Sequence, residues 1–287
     1  MLVLVIHHKM SKVFYDKPII DQIFEEVRKR KNDHDINKLT KLVTILPPED
    51  VNKRIINCWT VLMDASWYGY TEIVKLLLEK EDIDVNIQDN YSRVALIYAS
   101  CNGYTEIVKL LLEKEGIDIN IQDSDGETAL IYASQSNNAE IARLLLGKED
   151  TNINIQNKDG STALICASQK GHTEIVKLLL GKENIDVNIQ DLYDSTALLF
   201  GSSTGHTEIV KLLLEKEDID VNIQDIEGYT ALMCASQRGY TKIVKVLLEK
   251  ESVDVNIPDN FGRTPLDYIS RFDNTEIIKL LVNHKSY

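Results

Sequence analysis

The stretch "NKDGSTALICASQKGHTEIVKLLLGKENIDVNIQ" (residues 157–190) decides the fold, because its pattern returns along the chain every 34 residues. The segment "IDVNIQD", which begins at residue 185, has counterparts that begin at residues 83, 117, 151, 219 and 253. Self-similarity at a fixed period of this length is the signature of a repeat architecture. The chain of 287 residues is therefore expected to form a repeat array rather than one or two ordinary domains.

Residues 157–190 predict two short helices separated by a turn. The first is expected from Thr162 to Gln169, and Gly171 ends it because glycine adopts the left-handed conformation without a Cβ penalty. Thr173 is predicted to be the N-cap of the second helix. Apolar residues at helical spacing give this second helix one broad apolar face: Ile175, Val176, Leu178 and Leu179.

The segment that joins one helix pair to the next alternates apolar and polar residues and then turns, which predicts a β-hairpin-like finger. A single 34-residue unit cannot be stable, because ordering it costs about 34–68 kcal/mol. Its few large apolar side chains return only about 1.5–3 kcal/mol each. Stacking on neighbours supplies the missing burial, so the predicted fold is an all-α repeat solenoid.

Four segments carry a resemblance to a known family: "GETALIYAS", "GSTALICAS", "GYTALMCAS" and "GRTPLDYIS". The first three are followed by a second helix such as "TEIVKLLL" and by an Asn in "DVN" or "NIN". This register resembles the ankyrin repeat, whose unit is about 33 residues long and carries T-P-L-H-x-A. The unit here is one residue longer, and the family's His is replaced in every repeat. The resemblance implies a stack of helix-turn-helix pairs with fingers.

The resemblance covers residues 55–287, which divide into seven repeats, numbered 1 to 7 in order: 55–88, 89–122, 123–156, 157–190, 191–224, 225–258 and 259–287. Residues 18–54 are expected to form a degenerate N-terminal capping repeat, because "EDVN" at 49–52 stands 34 residues before "IDVN" at 83–86. Residues 1–17 are left as an unassigned N-terminal arm. Ser92 and Asp194 replace the finger glycine, and Asn137 replaces the helix-ending glycine as a left-handed substitute.

The charge of the chain excludes two classes of partner. The net charge is −13, and Lys and Arg are scattered except for the run RKRK at 28–31, which suits a helix C-terminus, so we expect no binding to nucleic acid or to a membrane surface. The four cysteines form no CxxC pair and are expected to be reduced thiols. The start of the chain is no convincing signal peptide, and no stretch has the length to cross a bilayer. We therefore expect an intracellular protein, in the cytoplasm, and a monomer.

No catalytic, cofactor or metal motif survives inspection. "GSSTG" at 201–205 fits G-x-S-x-G, but Ser203 falls in the last turn of a predicted helix and not in a strand–turn–helix elbow. "DSDGE" at 123–127 fails the register of a calcium loop. His172 and His206 share one repeat position before the second helix, where turn residues are expected more than a metal pair. We expect a protein that is not an enzyme.

A partner protein is expected on the concave face formed by fingers and first helices, because the resemblance implies binding there. Positions that vary between repeats select the candidate partner-binding residues, and the last three repeats present aromatic and aliphatic fingers flanked by arginine, a composition typical of interface hot spots. The candidates are Tyr91, Arg93, Leu192, Tyr193, Ile226, Tyr229, Arg238, Phe261 and Arg263.

Three alternatives stay open at this point. The finger side chains could pack against neighbouring fingers and stiffen the array. The array could target a small activity or tail carried by residues 1–54. The chain could also be a structural spacer without a specific partner, although exposed apolar clusters usually have a use.

Overall fold

The structure, a computed structural model, describes residues 18–27, 36–54, 58–269 and 274–284. The chain divides into two compact bodies, an N-terminal body (Met1–Asp118) and a C-terminal body (Ile119–Tyr287). The expected arm at 1–17 lies outside the described residues.

In the N-terminal body the helices come in pairs, and a single-turn 3₁₀ segment, Pro48–Asp50, follows the first pair. The helices are α1 (Ile19–Val27), α2 (Ile36–Thr44), α3 (Val61–Tyr68), α4 (Thr71–Leu78), α5 (Ala95–Cys101) and α6 (Thr105–Leu112).

The C-terminal body continues the same alternation of a first and a second helix in each repeat. Its helices are α7 (Ala129–Gln135), α8 (Ala139–Leu146), α9 (Ala163–Lys170), α10 (Thr173–Leu180), α11 (Ala197–Thr204), α12 (Thr207–Leu214), α13 (Ala231–Arg238), α14 (Thr241–Leu248), α15 (Pro265–Ile269) and α16 (Thr275–His284). The described residues contain no strand, so the predicted all-α stack of helix pairs is confirmed.

In repeats 1 and 3 to 6 the first helix starts at a threonine that caps it, whereas in repeat 2 Val94 stands there and makes no capping bond. In repeat 4, Thr162 Oγ1 accepts a hydrogen bond of 3.2 Å from the backbone N–H of Ile165, and Thr128 caps α7 in the same way. Such a cap is worth about 1 kcal/mol because it satisfies a backbone donor that the helix leaves unpaired. Helix α9 therefore starts one residue after Thr162 and runs to Lys170, one residue beyond the predicted end.

The second helix begins differently from the prediction. Thr173 is the first helical residue of α10, and His172 is the N-cap, with no side-chain hydrogen bond to the helix. The prediction of Thr173 as the N-cap was therefore wrong by one residue. The two helices are joined by a tight turn in which His172 N–H donates to the carbonyl of Ala167 at 2.9 Å. This turn fixes the chain before the second helix without help from a capping side chain.

The core of each body lies between the helix layers. Ile175, Val176 and Leu179 of α10 are fully buried, and so are their counterparts in α4, α6, α8, α12 and α14. The position of the family's missing histidine is filled in repeats 2 to 6 by apolar side chains that are also buried: Ile97, Ile131, Ile165, Leu199 and Met233. Burying one such side chain stabilises the fold by about 1.5–3 kcal/mol.

Each finger is a turn held by main-chain hydrogen bonds. In repeat 5, the N–H of Asp191 donates to the carbonyl of Ser195 and the N–H of Asp194 donates to the carbonyl of Asp191, both at 3.0 Å. The left-handed conformation expected at Asn137 is confirmed by its φ of 57°, and Ser92 and Asp194, which replace the finger glycine, have the same φ.

An asparagine links each repeat to the next. Asn188 Nδ2 donates to the carbonyl of Asp218 at 2.7 Å, and its Oδ1 accepts from the N–H of Asp220 at 2.9 Å. The same pair of bonds, 30 and 32 residues along the chain, is made by Asn52, Asn86, Asn120, Asn154 and Asn222. Asn52 thus joins residues of 18–54 to repeat 1 through the same contacts that join the later repeats.

Candidate functional site at the fingers

The structure places five of the nine candidate residues at finger tips with most of their side chains in solvent. Their exposed fractions are 56% for Tyr91, 65% for Leu192, 64% for Tyr193, 58% for Ile226 and 75% for Phe261. Exposing large apolar side chains to water to this extent costs free energy, and clusters of them usually mark an interaction site.

Four of these side chains stand on consecutive fingers of the C-terminal body. The N–H of Ile226 donates to the carbonyl of Tyr193 at 2.9 Å, and the N–H of Asn260 donates to the carbonyl of Glu227 at 3.2 Å. These bonds join the finger of repeat 5 to that of repeat 6, and repeat 6 to repeat 7. We call the resulting set the apolar tip row: Leu192, Tyr193, Ile226 and Phe261.

The fingers are held rigid by the carboxylate or amide that begins each of them. Asp191 Oδ1 accepts hydrogen bonds from the N–H groups of Tyr193 and Ser195, both at 2.9 Å. Asp89, Asp123, Asn157, Asp225 and Asp259 make the corresponding pair in their own fingers. A side chain on such a preorganised turn loses little backbone entropy when a partner binds.

Arg263 is engaged within the chain. Its Nε and Nη2 lie 2.9 Å and 2.8 Å from Asp259 Oδ2. Its Cζ lies 4.7 Å from the ring centroid of Phe261 and 4.8 Å from that of Tyr268. The Tyr268 hydroxyl also donates to Asp259 Oδ2. Burial alone would raise the pKa of the Asp259 carboxyl, but the bonds from Tyr268 and Arg263 hold it well below its usual range.

Two other candidates of the C-terminal body differ from the tips. Tyr229 is half-buried, and its ring packs on that of Tyr268 with centroids 5.3 Å apart. The packing alternative therefore describes Tyr229 and Arg263 better than it describes the apolar tip row. Arg238 is exposed in the last turn of α13, where its charge suits the helix C-terminus.

Tyr91 and Arg93 belong to the N-terminal body. The guanidinium carbon of Arg93 lies 5.9 Å from the Tyr91 ring centroid, at the outer limit of a cation–π contact. The Tyr98 hydroxyl donates to Asp89 Oδ2, so this finger carries a carboxylate, two aromatic rings and an arginine together.

An aromatic cluster of the N-terminal body was missed by the sequence analysis. The ring of Trp59 lies 4.7 Å from that of Tyr98 and 6.4 Å from that of Trp67, and Trp67 meets Tyr98 edge to face at 5.5 Å. Trp67 remains 37% exposed on the first helix of repeat 1. The signal was present, since both tryptophans of the chain fall in this one repeat.

The sequence analysis also missed a polar network between repeats 3 and 4. Glu127 Oε1 accepts hydrogen bonds from Gln135 Nε2 and Asn157 Nδ2, both at 3.0 Å. Burial raises the pKa of the Glu127 carboxyl, and these two bonds oppose the rise. The network stiffens the junction of two fingers that carry polar tips.

The serine, histidine and cysteine residues that were considered as catalytic or metal-binding candidates occupy structural positions. Ser203 lies inside α11 and its hydroxyl donates to the carbonyl of Phe200 at 3.1 Å. Burial, with the charges of Lys170 and His206, lowers the pKa of His172. Burial also raises the pKa of the Cys166 thiol to about 11 and that of Cys234 to about 12, which keeps both unreactive at neutral pH. Among the described residues, no three His, Cys, Asp or Glu side chains are placed to hold a metal ion.

A family model described as ankyrin repeats (3 copies) matches overlapping segments of the chain: residues 31–123, 62–157, 115–191, 148–225 and 198–287. A search of curated proteins finds no significant match. Within the described ranges, no helix has the length and apolar character needed to cross a membrane.

Many solved structures share the fold. The crystal structure of EF0377, an ankyrin repeat protein, is 34% identical, covers 66% of this chain and 97% of its own, and has a TM-score of 0.62. The ankyrin repeat domain of Bcl-3, titled a unique member of the IkappaB protein family, is 25% identical over 77% of this chain and 97% of its own, with a TM-score of 0.67. The human ASB11 ankyrin repeat domain is 21% identical over 78% and 96%, with a TM-score of 0.63.

Proposed function

Because the chain belongs to the ankyrin repeat family, whose repeats generally mediate protein–protein interaction, we propose that it is a non-enzymatic adaptor whose apolar tip row binds a partner protein. The observation that carries the proposal is the exposure of Leu192, Tyr193, Ile226 and Phe261 on three consecutive, hydrogen-bonded fingers. Covering these side chains removes a large apolar area from water, at about 25 cal/mol per Å².

The composition of the row supports a specific partner. Tyrosine and other aromatic residues are enriched in interface hot spots, because a rigid ring contributes a large contact area at a small cost in side-chain entropy. Leu192 precedes Tyr193 in the same finger, and the N–H of Ile226 in the next finger donates to the Tyr193 carbonyl, so a partner would meet aromatic and aliphatic groups close together. The fingers of repeats 3 and 4 carry Asp125, Lys158 and Asp159 at these positions instead.

The proposal is tested by affinity capture with a variant that removes the row. Leu192→Ser, Tyr193→Ser, Ile226→Ser and Phe261→Ser are combined, and the variant is compared with wild type in lysate of the cells in which the protein occurs. The matched control combines Asp125→Ala and Lys158→Ala, which alter the polar fingers of the same body. Because the row is exposed, we expect the melting temperature to stay within a few degrees of wild type.

A protein retained by wild type and by the control, but lost from the row variant, would support the proposal. Retention of the same proteins by all three forms would move the binding surface elsewhere in the chain. If wild type retains nothing, the spacer alternative takes precedence.

A further inference from the structure

The last repeat contains a binding site for a guanidinium group, which we call the arginine seat. The chain fills this site with its own Arg263. Arg263 forms two hydrogen bonds with the carboxylate of Asp259 and lies against two rings, Phe261 and Tyr268. Asp259 is the first residue of the finger. Phe261 follows it by two residues, Arg263 by four and Tyr268 by nine. This combination is how proteins hold guanidinium groups firmly, through charge-assisted bonds and cation–π contacts.

Repeat 2 has the same four residue types in the same register. Asp89 begins the finger, Tyr91 and Tyr98 supply the rings, and Arg93 supplies the guanidinium, 5.9 Å from the Tyr91 centroid. The arrangement is therefore a property of the register and not an accident of the last repeat.

Repeat 5 keeps three of the four groups and lacks the arginine. Asp191, Tyr193 and Phe200 occupy the positions of Asp259, Phe261 and Tyr268, whereas Ser195 occupies the position of Arg263. Repeats 3, 4 and 6 do not match, because the residue two places after the start of the finger, where a ring is needed, is Asp125, Asp159 or Glu227. Repeat 5 thus has a carboxylate and two rings at the register positions that elsewhere surround an arginine.

The carboxylate of repeat 5 is held as in the last repeat. Asp191 Oδ1 accepts from the N–H groups of Tyr193 and Ser195 at 2.9 Å, while Asp259 Oδ1 accepts from those of Phe261 and Arg263 at 2.9 Å and 2.8 Å. Oδ2 differs in its partners. Phe200 has no hydroxyl to donate, and among the residues that the structure describes no side chain donates a hydrogen bond to Asp191 Oδ2. Asp191 as a whole is only 8% exposed, but Oδ2 does not belong to the fully buried acceptors that lack a partner, so a donor from outside the chain can reach it.

We propose that repeat 5 holds an arginine side chain of the partner, with its guanidinium on Asp191 and between the rings of Tyr193 and Phe200. This inference rests on the proposed function and deepens it, because Tyr193 also belongs to the apolar tip row. The partner segment therefore carries an arginine beside apolar residues that cover Leu192 and Ile226.

The charge of the surroundings fits a cationic segment. Residues 119–287 contain 26 acidic and 16 basic residues, so most of the excess negative charge of the chain lies in this part. Asp194 lies beside Tyr193 in the same exposed finger, and Glu227 is exposed in the next one. Such a field raises the encounter rate of a positively charged partner and penalises an acidic one.

The first test needs no partner. Ser195→Arg supplies repeat 5 with the arginine that repeats 2 and 7 already have, and Ser161→Arg makes the same change in repeat 4, where Asn157, Asp159 and Cys166 provide neither carboxylate start nor rings. We expect Ser195→Arg to raise the melting temperature above that of Ser161→Arg, and Asp191→Asn combined with Ser195→Arg to lose the gain. Equal melting temperatures for the two arginine variants would contradict the proposal that repeat 5 has an arginine seat.

The second test uses a random 16-residue peptide library displayed on phage and selected against the full chain. Synthetic copies of the selected peptides are measured with arginine and with citrulline, which has the same shape without the charge. We expect the citrulline peptides to bind at least tenfold more weakly. Ser195→Arg and Asp191→Asn should weaken the arginine peptides to a similar degree, and Ser161→Arg should leave them unchanged.

The two proposals can fail separately. Peptides that are lost with the row variant, but tolerate citrulline and Ser195→Arg, would overturn the arginine seat and leave the proposed function standing. If no selected peptide depends on the apolar tip row, the proposed function fails together with the inference.

Discussion

Gly171 lies directly beneath the imidazole ring of His206: a Cβ atom placed on Gly171 would come within 2.5 Å of His206 Cε1. Gly171 also has φ of 78°, in the left-handed region that other residues adopt at a cost. The same close approach recurs between Gly69 and Tyr104 and between Gly205 and Tyr240. The ring that precedes a second helix therefore covers the end of the first helix in the preceding repeat.

Gly171→Ala is expected to destabilise the fold by about 2–3 kcal/mol, because it combines left-handed strain with a clash against His206. The matched control is Gly181→Ala. Gly181 has φ of −72°, and an added Cβ would lie 3.4 Å from its nearest neighbour. The control should be neutral or slightly stabilising. Urea unfolding followed by far-UV circular dichroism measures both, and equal losses would contradict the role of the ring contact.

Asp194→Gly is expected to stabilise the fold by about 0.5–1 kcal/mol, because it removes the cost of a left-handed non-glycine residue in the finger of repeat 5. The reverse change, Gly160→Asp, should be strongly destabilising. Gly160 has φ of 77°, and its added Cβ would lie 2.8 Å from the backbone nitrogen of Leu192. Thermal melts of the two variants give the comparison, and a loss of stability in Asp194→Gly would refute the assigned strain.

Asn188→Ala is expected to cost about 1–3 kcal/mol, because it leaves the carbonyl of Asp218 and the N–H of Asp220 without their partner. Asn184→Ala in the same loop is the control, since the Asn184 side chain is exposed and donates or accepts no hydrogen bond among the described residues. Chemical denaturation of the two variants side by side decides the matter. If they unfold at the same urea concentration, the inter-repeat bonds contribute nothing.

Asp225→Asn is expected to stabilise the protein at neutral pH. Burial, with a smaller contribution from the charge of Glu227, raises the pKa of the Asp225 carboxyl above its usual value of 3.8. An acid whose pKa is higher in the folded state adds stability below its unfolded pKa and loses it as pH rises through the folded pKa. The asparagine keeps the acceptor for the N–H groups of Glu227 and Tyr229, as Asn157 does in repeat 4.

The check for Asp225→Asn is the unfolding free energy from pH 3 to pH 7. The advantage of the variant should shrink as pH falls through the raised pKa and vanish near the ordinary pKa of aspartate. An advantage of constant size across this range would show that charge burial is not its cause.

The regular part of the fold could be predicted from the sequence because it repeats. The period, the two helices and the left-handed substitute at Asn137 all follow from comparing one repeat with the next. The N-cap of the second helix was misplaced by one residue, because Thr173 has the side chain of a capping residue while the backbone turn already fixes His172. Periodicity cannot show which of two adjacent residues takes the non-helical conformation.

The candidate site was predicted less completely than the fold. The exposed tips followed from the positions that vary, but the pairing of Arg263 with Asp259 and the packing of Tyr229 on Tyr268 depend on side-chain directions that the sequence does not specify. The two tryptophans of repeat 1 were a signal for the Trp59, Trp67 and Tyr98 cluster, but a single repeat could not show that Tyr98 of the next repeat completes it.

The hydrogen bonds by which an asparagine links each repeat to the next have a consequence for how the gene can change. Asn120, Asn154, Asn188 and Asn222 each bind backbone groups 30 and 32 residues further along, and the period is 34. Excision or duplication of one whole period inside this run returns each asparagine to an equivalent pair of partners. The number of fingers can therefore change by recombination, without a compensating mutation at the new junction.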